Sequence, residues 1–227
     1  MIGVFDSGDG GLLTVEKIRE LSRECDIIFL ADRENAPYGT KSRAEIIRIT
    51  KSNIKKLREL GASKILIACC TASSVFSYLT EEEKKIAVPI IEPTARRAAA
   101  LTRSKKIAVI STEATAKIGM FEKEMRAIIP EATVYTEPAG ELVTLIEKGL
   151  CDKNIKETGI ERVRKILSGL EGKSFDTIIL GCTHFPRLEK TISEIFGKKE
   201  TVSSALCVAM EILKTEKKSE GGLTLFV

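Results

Sequence analysis

Two short stretches of this chain hold residues whose types and spacing could do chemistry: ILIACCTASS at 65–74 and TIILGCTHFP at 177–186. In each, an apolar run ends in cysteine and a threonine follows within two residues. A thiol placed where a strand ends and a helix begins meets unpaired backbone N–H groups and the positive end of the helix dipole. Those favour the thiolate over a free thiol of pKa ~8.5, and the same amides can hold a carboxylate. The bland alternative is a small buried core residue, the commonest fate of free cysteine. His184, the single histidine of the chain, stands two residues after Cys182. A group titrating near neutrality beside a thiol is one way a cysteine becomes reactive.

Thiols at matching positions of two lobes would face each other across a cleft, which suits racemisation. One face of a carbon loses a proton and the other face gains one. The two directions are mirror images, so one acid/base of the same kind per lobe is sufficient. Two further motifs would give such a cleft polar walls. DSGDGG, residues 6–11, puts Asp6 and Ser7 in a turn after the first apolar run. It lacks the spacing of a dinucleotide loop and the Walker lysine, which argues against a nucleotide site. APYGTKS, residues 36–42, reads as ordinary turn chemistry or as a loop whose amides hold an anion.

These motifs need elements to position them. The expected strands are Ile2–Phe5, Ile27–Leu30, Ile65–Ala68, Val88–Ile91, Ile107–Ile110, Thr133–Tyr135 and Thr177–Leu180. Helical patterns cover Leu12–Ser22, Arg43–Leu60, Glu113–Ile128, Glu141–Lys148, Ile155–Leu170, Leu188–Phe196 and Ala205–Leu213. This alternation predicts parallel βαβ units and a doubly wound α/β fold, with ligands at the carboxyl ends of the strands. The order of signals repeats: a strand, a hydroxyl-bearing turn (Asp6–Ser7, then Ser111–Thr112), and later a strand-end cysteine. The expectation is two similar lobes with mostly parallel sheets and the site between them. Residues 1–92 form the first, completed by 202–227, and 93–201 the second, with Pro93 punctuating the boundary. The polar tail 214–222 reads as mobile, and LTLFV as a short strand able to dock.

Composition agrees with a core-forming chain: 227 residues, 43% hydrophobic, 30% charged, net charge +4. The positive charge is spread among acids, and three Tyr, eight Phe and no Trp give few stacking platforms, which argues against nucleic acid. No apolar run approaches the ~20 residues of a membrane span, and MIGVFDSGDGG has no basic leader. A cytoplasmic protein with six reduced cysteines is the expectation. Cys25, Cys151 and Cys207 fall in helical or linker patterns and read as packing residues.

Taken in order, IGVFDSGDGG, ADRENAPYGTKS, ILIACCTAS, IAVISTEATAKIG, ELVTLIEKG and IILGCTHFP resemble the successive motifs of the cofactor-independent glutamate racemases, in the aspartate/glutamate racemase superfamily. The resemblance implies interconversion of L- and D-glutamate without metal or other cofactor, a role in peptidoglycan supply, and a homodimer. It implies that Cys182 takes the proton from L-glutamate and Cys69 from D-glutamate. Asp6 would assist Cys69; His184 with Glu147 would assist Cys182. Ser7, Thr71 and Thr183 would hold the amino and α-carboxylate groups, and Tyr38 and Gly39, beside Pro37, would offer amides to the side-chain carboxylate. Thr112 and Thr115 of the Thr-rich turn complete the substrate-binding set. Three features depart from the pattern: Cys70 stands where the family has asparagine, Ser203 where it often has aspartate, and LTLFV falls short of the usual ending. A thiol cannot replace an amide's paired donor and acceptor, so weak glutamate binding or another substrate, such as aspartate, is expected. Rival readings use the same residues: zinc held by Cys69, Cys70, Cys182 and His184, or a non-catalytic relative that binds an amino acid or a protein.

Overall fold

Two all-parallel sheets organise the chain, whose computed structural model describes residues 1–22, 24–214 and 222–226. The first part runs β1 (Ile2–Asp6), α1 (Leu12–Leu21), β2 (Ile27–Ala31), α2 (Arg43–Glu59), β3 (Lys64–Ile67), α3 (Cys70–Ser73), α4 (Glu81–Ile86), β4 (Ala87–Pro89) and α5 (Ile91–Leu101). Then follow β5 (Lys106–Ser111), α6 (Glu113–Ile118), α7 (Met120–Ile128), β6 (Thr133–Pro138), α8 (Glu141–Glu147) and α9 (Glu157–Ile166). The remainder is β7 (Thr177–Gly181), α10 (Glu189–Ile195), β8 (Glu200–Ser203), α11 (Ser204–Leu213) and β9 (Leu223–Phe226).

The first sheet has the order β4-β3-β1-β2-β9 and the second β6-β5-β7-β8. Read from its other edge, the second is β8-β7-β5-β6, the same winding as β4-β3-β1-β2. The repeat of signals along the sequence is therefore a repeat of topology. Ile2 pairs with Ile27 and with Lys64 on either side of β1, and Ile107 with Thr133's neighbour Val134 and with Thr177 on either side of β5. In each sheet the chain reverses its winding beside the first strand, which opens a crevice at the strand ends. The two cysteine motifs emerge there, after β3 and after β7.

Successive strand residues point to opposite faces, and both faces are buried. Ile2, Val4, Ile27, Phe29 and Leu66 of the first sheet share one core with Ile107, Val109, Ile179 and Val202 of the second. Between the sheets lie α1, α5, α7 and α11, contributing Val15, Ile18, Ala95, Ala98, Met125, Val208 and Ile212. The outer face of the first sheet (Phe5, Ile28, Leu30, Ile65, Ile67) packs on Ile49, Ile54 and Leu57 of α2. That of the second (Ala108, Ile110, Ile178, Leu180) packs on Leu142, Ile146, Val163 and Ile192. Burial of each such Val, Leu, Ile, Phe or Met side chain contributes ~1.5–3 kcal/mol, and the central layer makes the two sheets one packed body.

Several boundaries differ from the sequence reading. The strand expected at Val88–Ile91 ends at Pro89, and α5 begins at Ile91, so Glu92, Pro93 and Thr94 are helical where a break was expected. Pro93 sits in the first turn, where its missing N–H has no intrahelical acceptor to lose. The helix start is capped from outside: Ser73 Oγ accepts Ile90 N at 2.9 Å and Ile91 N at 3.4 Å. The helix expected over Glu113–Ile128 divides at Gly119, whose φ of 71° closes α6 and opens α7. The pattern Ile155–Leu170 yields α9 and a separate 3-10 turn at 168–170. α4 and β8 lie where no element was expected. Of the tail expected to be mobile, residues 215–221 lie outside the described residues, while β9 docks parallel to β2 with Ile27 opposite Leu223.

Candidate active site

The carboxyl ends of β1, β3, β5 and β7 open into one cavity of about 470 Å³. Cys69, Cys70 and Thr71 line it from the first sheet, and Cys182, Thr183 and His184 from the second. Ser7, Pro37, Tyr38, Gly39, Thr112 and Glu147 line it too. Asp6 and Thr115 stand directly behind this lining, each almost wholly buried.

Each thiol has a near partner from a turn. Cys69 caps α3, and its Sγ reaches Ser7 Oγ at 3.7 Å. Cys182 Sγ lies 3.7 Å from His184 Nδ1, and His184 Nε2 lies 3.4 Å from Glu147 Oε1. Burial pushes the Cys69 thiol up to about 12, with the Asp6 charge adding to it against the N–H of Ala72 and the Ser7 hydroxyl. Burial pushes Cys182 upward as well; the His184 N–H opposes this, and the Asp6 charge reinforces it. Both sulfurs are thus held as thiols, contrary to the expectation that the helix end would favour the thiolate: burial outweighs the donors aimed at them.

Asp6 takes up a central place. Its Oδ2 accepts Gly11 N at 3.0 Å and Gly8 N at 3.3 Å, and Thr183 Oγ1 lies 3.4 Å from each carboxylate oxygen. Burial raises its pKa, against the charge of His184 and the amides of the turn. It acts on Cys69 through charge, and its hydrogen bonds go to its own turn and to the other lobe's Thr183. The glycines of DSGDGG serve this approach: a Cβ at Gly10 would lie 2.5 Å from Thr183 Oγ1 and 2.8 Å from the His184 ring.

Across the cavity the hydroxyls of Thr71, Thr112 and Thr115 form a closed triangle, each pair 3.0 Å apart. Thr112 caps α6 and also crowds the 36–40 loop, where a Cβ on Gly39 would meet Thr112 Cβ at 3.0 Å. Tyr38 lines the cavity, but its hydroxyl is engaged by two polar side chains behind it. Its hydroxyl lies 2.5 Å from Asp32 Oδ2 and accepts Asn53 Nδ2 at 2.9 Å. Asn53 also donates to Asp32 Oδ2 at 2.9 Å. Burial raises the Asp32 carboxyl, but hydrogen bonds from Tyr38, Asn53 and Asn35 outweigh it and hold its pKa below the usual range.

Sequence reasoning did not single out Asp32 and Asn53, which anchor Tyr38, or Ser204, whose Oγ lies 3.8 Å from Cys70 Sγ. Nor did it find Gly140, Glu141, Val143 and Thr144, which line the cavity with Glu147. Helical spacing from Glu147 could have found Thr144, Val143 and Gly140, at i−3, i−4 and i−7 on one face, but not Glu141 at i−6. Glu113 Oε1 accepts Gly140 N at 3.1 Å and so holds the start of α8 at the cavity. Among the described residues no three His, Cys, Asp or Glu side chains are grouped so as to hold a metal ion, so the zinc reading finds no donor set. No helix among them is long and apolar enough to cross a membrane.

The model of the Asp/Glu/hydantoin racemase family matches residues 5–212. The chain belongs to that family. It is 37% identical over 215 residues to a glutamate racemase of Aquifex pyrophilus, covering 93% of this chain and 81% of that one. A glutamate racemase of Geobacter metallireducens is 35% identical over 218 residues, covering 94% and 80%. Among solved structures, glutamate racemase from Francisella tularensis in complex with D-glutamate superposes with a TM-score of 0.89 at 27% identity, over 99% of this chain and 86% of that one. Family membership makes the two-lobed α/β arrangement and the isomerase class expected properties of this sequence.

Proposed function

We propose that this family member interconverts L- and D-glutamate by two-base proton transfer between Cys182 and Cys69. The supporting observation is that these thiols leave equivalent strands of two equivalently wound sheets and line the same cavity. In the L-to-D direction the Cys182 thiolate takes the α-proton. The Cα–H bond breaks, an S–H bond forms, and the electron pair passes into the α-carboxylate. The Cys69 thiol then gives its proton to the opposite face and is left as thiolate; the D-to-L direction exchanges the roles. A positioned acid or base contributes typically ~10²–10⁴-fold, and donors aimed at the developing carboxylate charge add to that.

His184, with Glu147 behind it, assists Cys182, and Asp6 assists Cys69. Ser7, Thr71 and Thr183 hold the amino and α-carboxylate groups, with Thr112 and Thr115 completing the hydroxyl wall. The amides of Tyr38 and Gly39 receive the side-chain carboxylate. The buried thiols and amides supply the acid/base and electrostatic functions without a cofactor. A homodimer, a cytoplasmic location and supply of D-glutamate to peptidoglycan complete the reading. The decisive experiment is incubation with each amino acid in deuterated water. Glutamate should gain α-deuterium from either enantiomer; exchange into a different amino acid, or into none, would overturn the assignment.

A further inference from the structure

Cys70 belongs to two environments. It lines the cavity beside Cys69, and it is part of the central core that joins the sheets. Its Sγ reaches Ser204 Oγ at 3.8 Å. Ser204, the first residue of α11, is wholly buried, and its Oγ lies 3.2 Å from the Leu180 carbonyl oxygen. A carbonyl oxygen only accepts, and a serine hydroxyl has one proton to give. That proton goes to Leu180, which leaves the Ser204 oxygen to accept the Cys70 S–H. The chain of bonds therefore runs one way, from thiol to hydroxyl to carbonyl. With its only proton committed to the core, the Cys70 sulfur turns nothing but lone pairs toward the cavity.

We infer that Ser204 is a positioning residue that fixes Cys70 as an acceptor-only wall of the cavity, selecting for the substrate's α-ammonium over a carboxylate at that place. An ammonium has protons to offer a sulfur lone pair, whereas a carboxylate oxygen there would meet lone pair against lone pair. The same hydroxyl relates the two catalytic motifs, since Cys70 follows Cys69 directly and Leu180 lies two residues before Cys182. The selectivity half of the inference rests on the racemase reading; the direction of the hydrogen bonds does not.

The infrared S–H stretch separates the two. It absorbs where other protein groups do not, and it moves to lower frequency when the thiol donates. The difference between wild type and Cys70→Ala assigns the Cys70 band, which should lie at a bonded frequency. In Ser204→Ala that band should move up toward the frequency of a free thiol, and in Ser204→Thr it should return. Kinetically, Ser204→Ala should raise the KM for glutamate about threefold with kcat changed less, and Ser204→Thr should restore it. A wild-type Cys70 band at the free-thiol frequency, or one that Ser204→Ala leaves in place, overturns the inference, and the first of these is readable even if Ser204→Ala does not fold. A bonded band with KM unmoved in Ser204→Ala overturns the selectivity half. Absence of α-exchange in wild type overturns the racemase reading and the selectivity with it, while the infrared result still decides the bond direction.

Discussion

Thr183 Oγ1 lies 3.4 Å from both carboxylate oxygens of Asp6, so the last residue of the first strand of one sheet touches the cysteine motif of the other. The consequence is electrostatic: after burial, the charge on Asp6 is a common cause of the raised pKa of both Cys69 and Cys182. Asp6→Asn should therefore lower both thiol pKa values. Alkylation by iodoacetamide at neutral pH should become faster at Cys69 and Cys182 while racemisation becomes slower. Slower or unchanged alkylation at both would remove Asp6 from this role.

Cys69→Ser and Cys182→Ser should each reduce racemisation by at least ~10²-fold, the smaller contribution of a positioned acid or base. Cys151→Ser and Cys207→Ser, at half-buried positions away from the cavity, should leave turnover near wild type. Cys25→Ser, in the central core, should cost stability but retain activity. Near-normal turnover in either of the first two variants would remove the two-thiol mechanism.

The raised thiols carry a pH signature. The base must be a thiolate, and burial makes that form scarce at neutrality, so kcat/KM should climb as pH rises and still be climbing at pH 9. Stability should move the other way. Folded Cys69, Cys70 and Cys182 hold their protons above the ordinary value of 9.0. Unfolding then releases protons, so their contribution is complete below pH 9 and is lost as pH rises above it. Thermal melts on both sides of that value give the test; a melting temperature that keeps rising through it would contradict the assignment.

The anchor of the 36–40 loop predicts an acid limb. Asp32 has its pKa lowered in the folded chain, so its contribution is present above the unfolded value of 3.8 and is lost as pH falls below it. Asp32→Asn should flatten that limb of the stability profile. Tyr38→Phe leaves Asp32 and Asn53 each short of a partner, a cost of about 1–3 kcal/mol. It should raise KM more than it lowers kcat, because the hydroxyl is committed to Asp32 and Asn53 and so holds the loop. A fall in kcat alone would place the hydroxyl in the chemistry instead.

Cys70→Asn tests the departure of this chain from the usual motif. Its thiol offers the cavity no donor, whereas an amide supplies donor and acceptor together. One recovered hydrogen bond to a charged group corresponds to roughly tenfold tighter binding. KM for both enantiomers should fall together, since the L/D ratio of kcat/KM is fixed near one by equilibrium. Unchanged constants would show that this wall is matched to a different amino acid.

The strands were legible because parallel strands buried on both faces read as unbroken apolar runs, as in ILIA and TIIL. The two thiols were legible because each run ends abruptly in cysteine. Less local features were not. Glu92–Pro93 looks like a break, and the cap that starts α5 is Ser73, some distance away in sequence. β8, with the sequence ETVS, is short and polar and becomes a strand by pairing with β7. Asp32, Asn53 and Ser204 are ordinary polar residues in their own segments; their importance arises only where separate elements meet.

The order of assembly follows from where α11 and β9 belong. Both come from residues 204–226, yet α11 packs on α1, and β9 forms the edge of the first sheet beside β2. Residues 106–203, by contrast, contain every strand of the second sheet. The first sheet therefore closes through the pairing of Ile27 with Leu223, a contact of high sequence separation whose loop-closure cost slows folding.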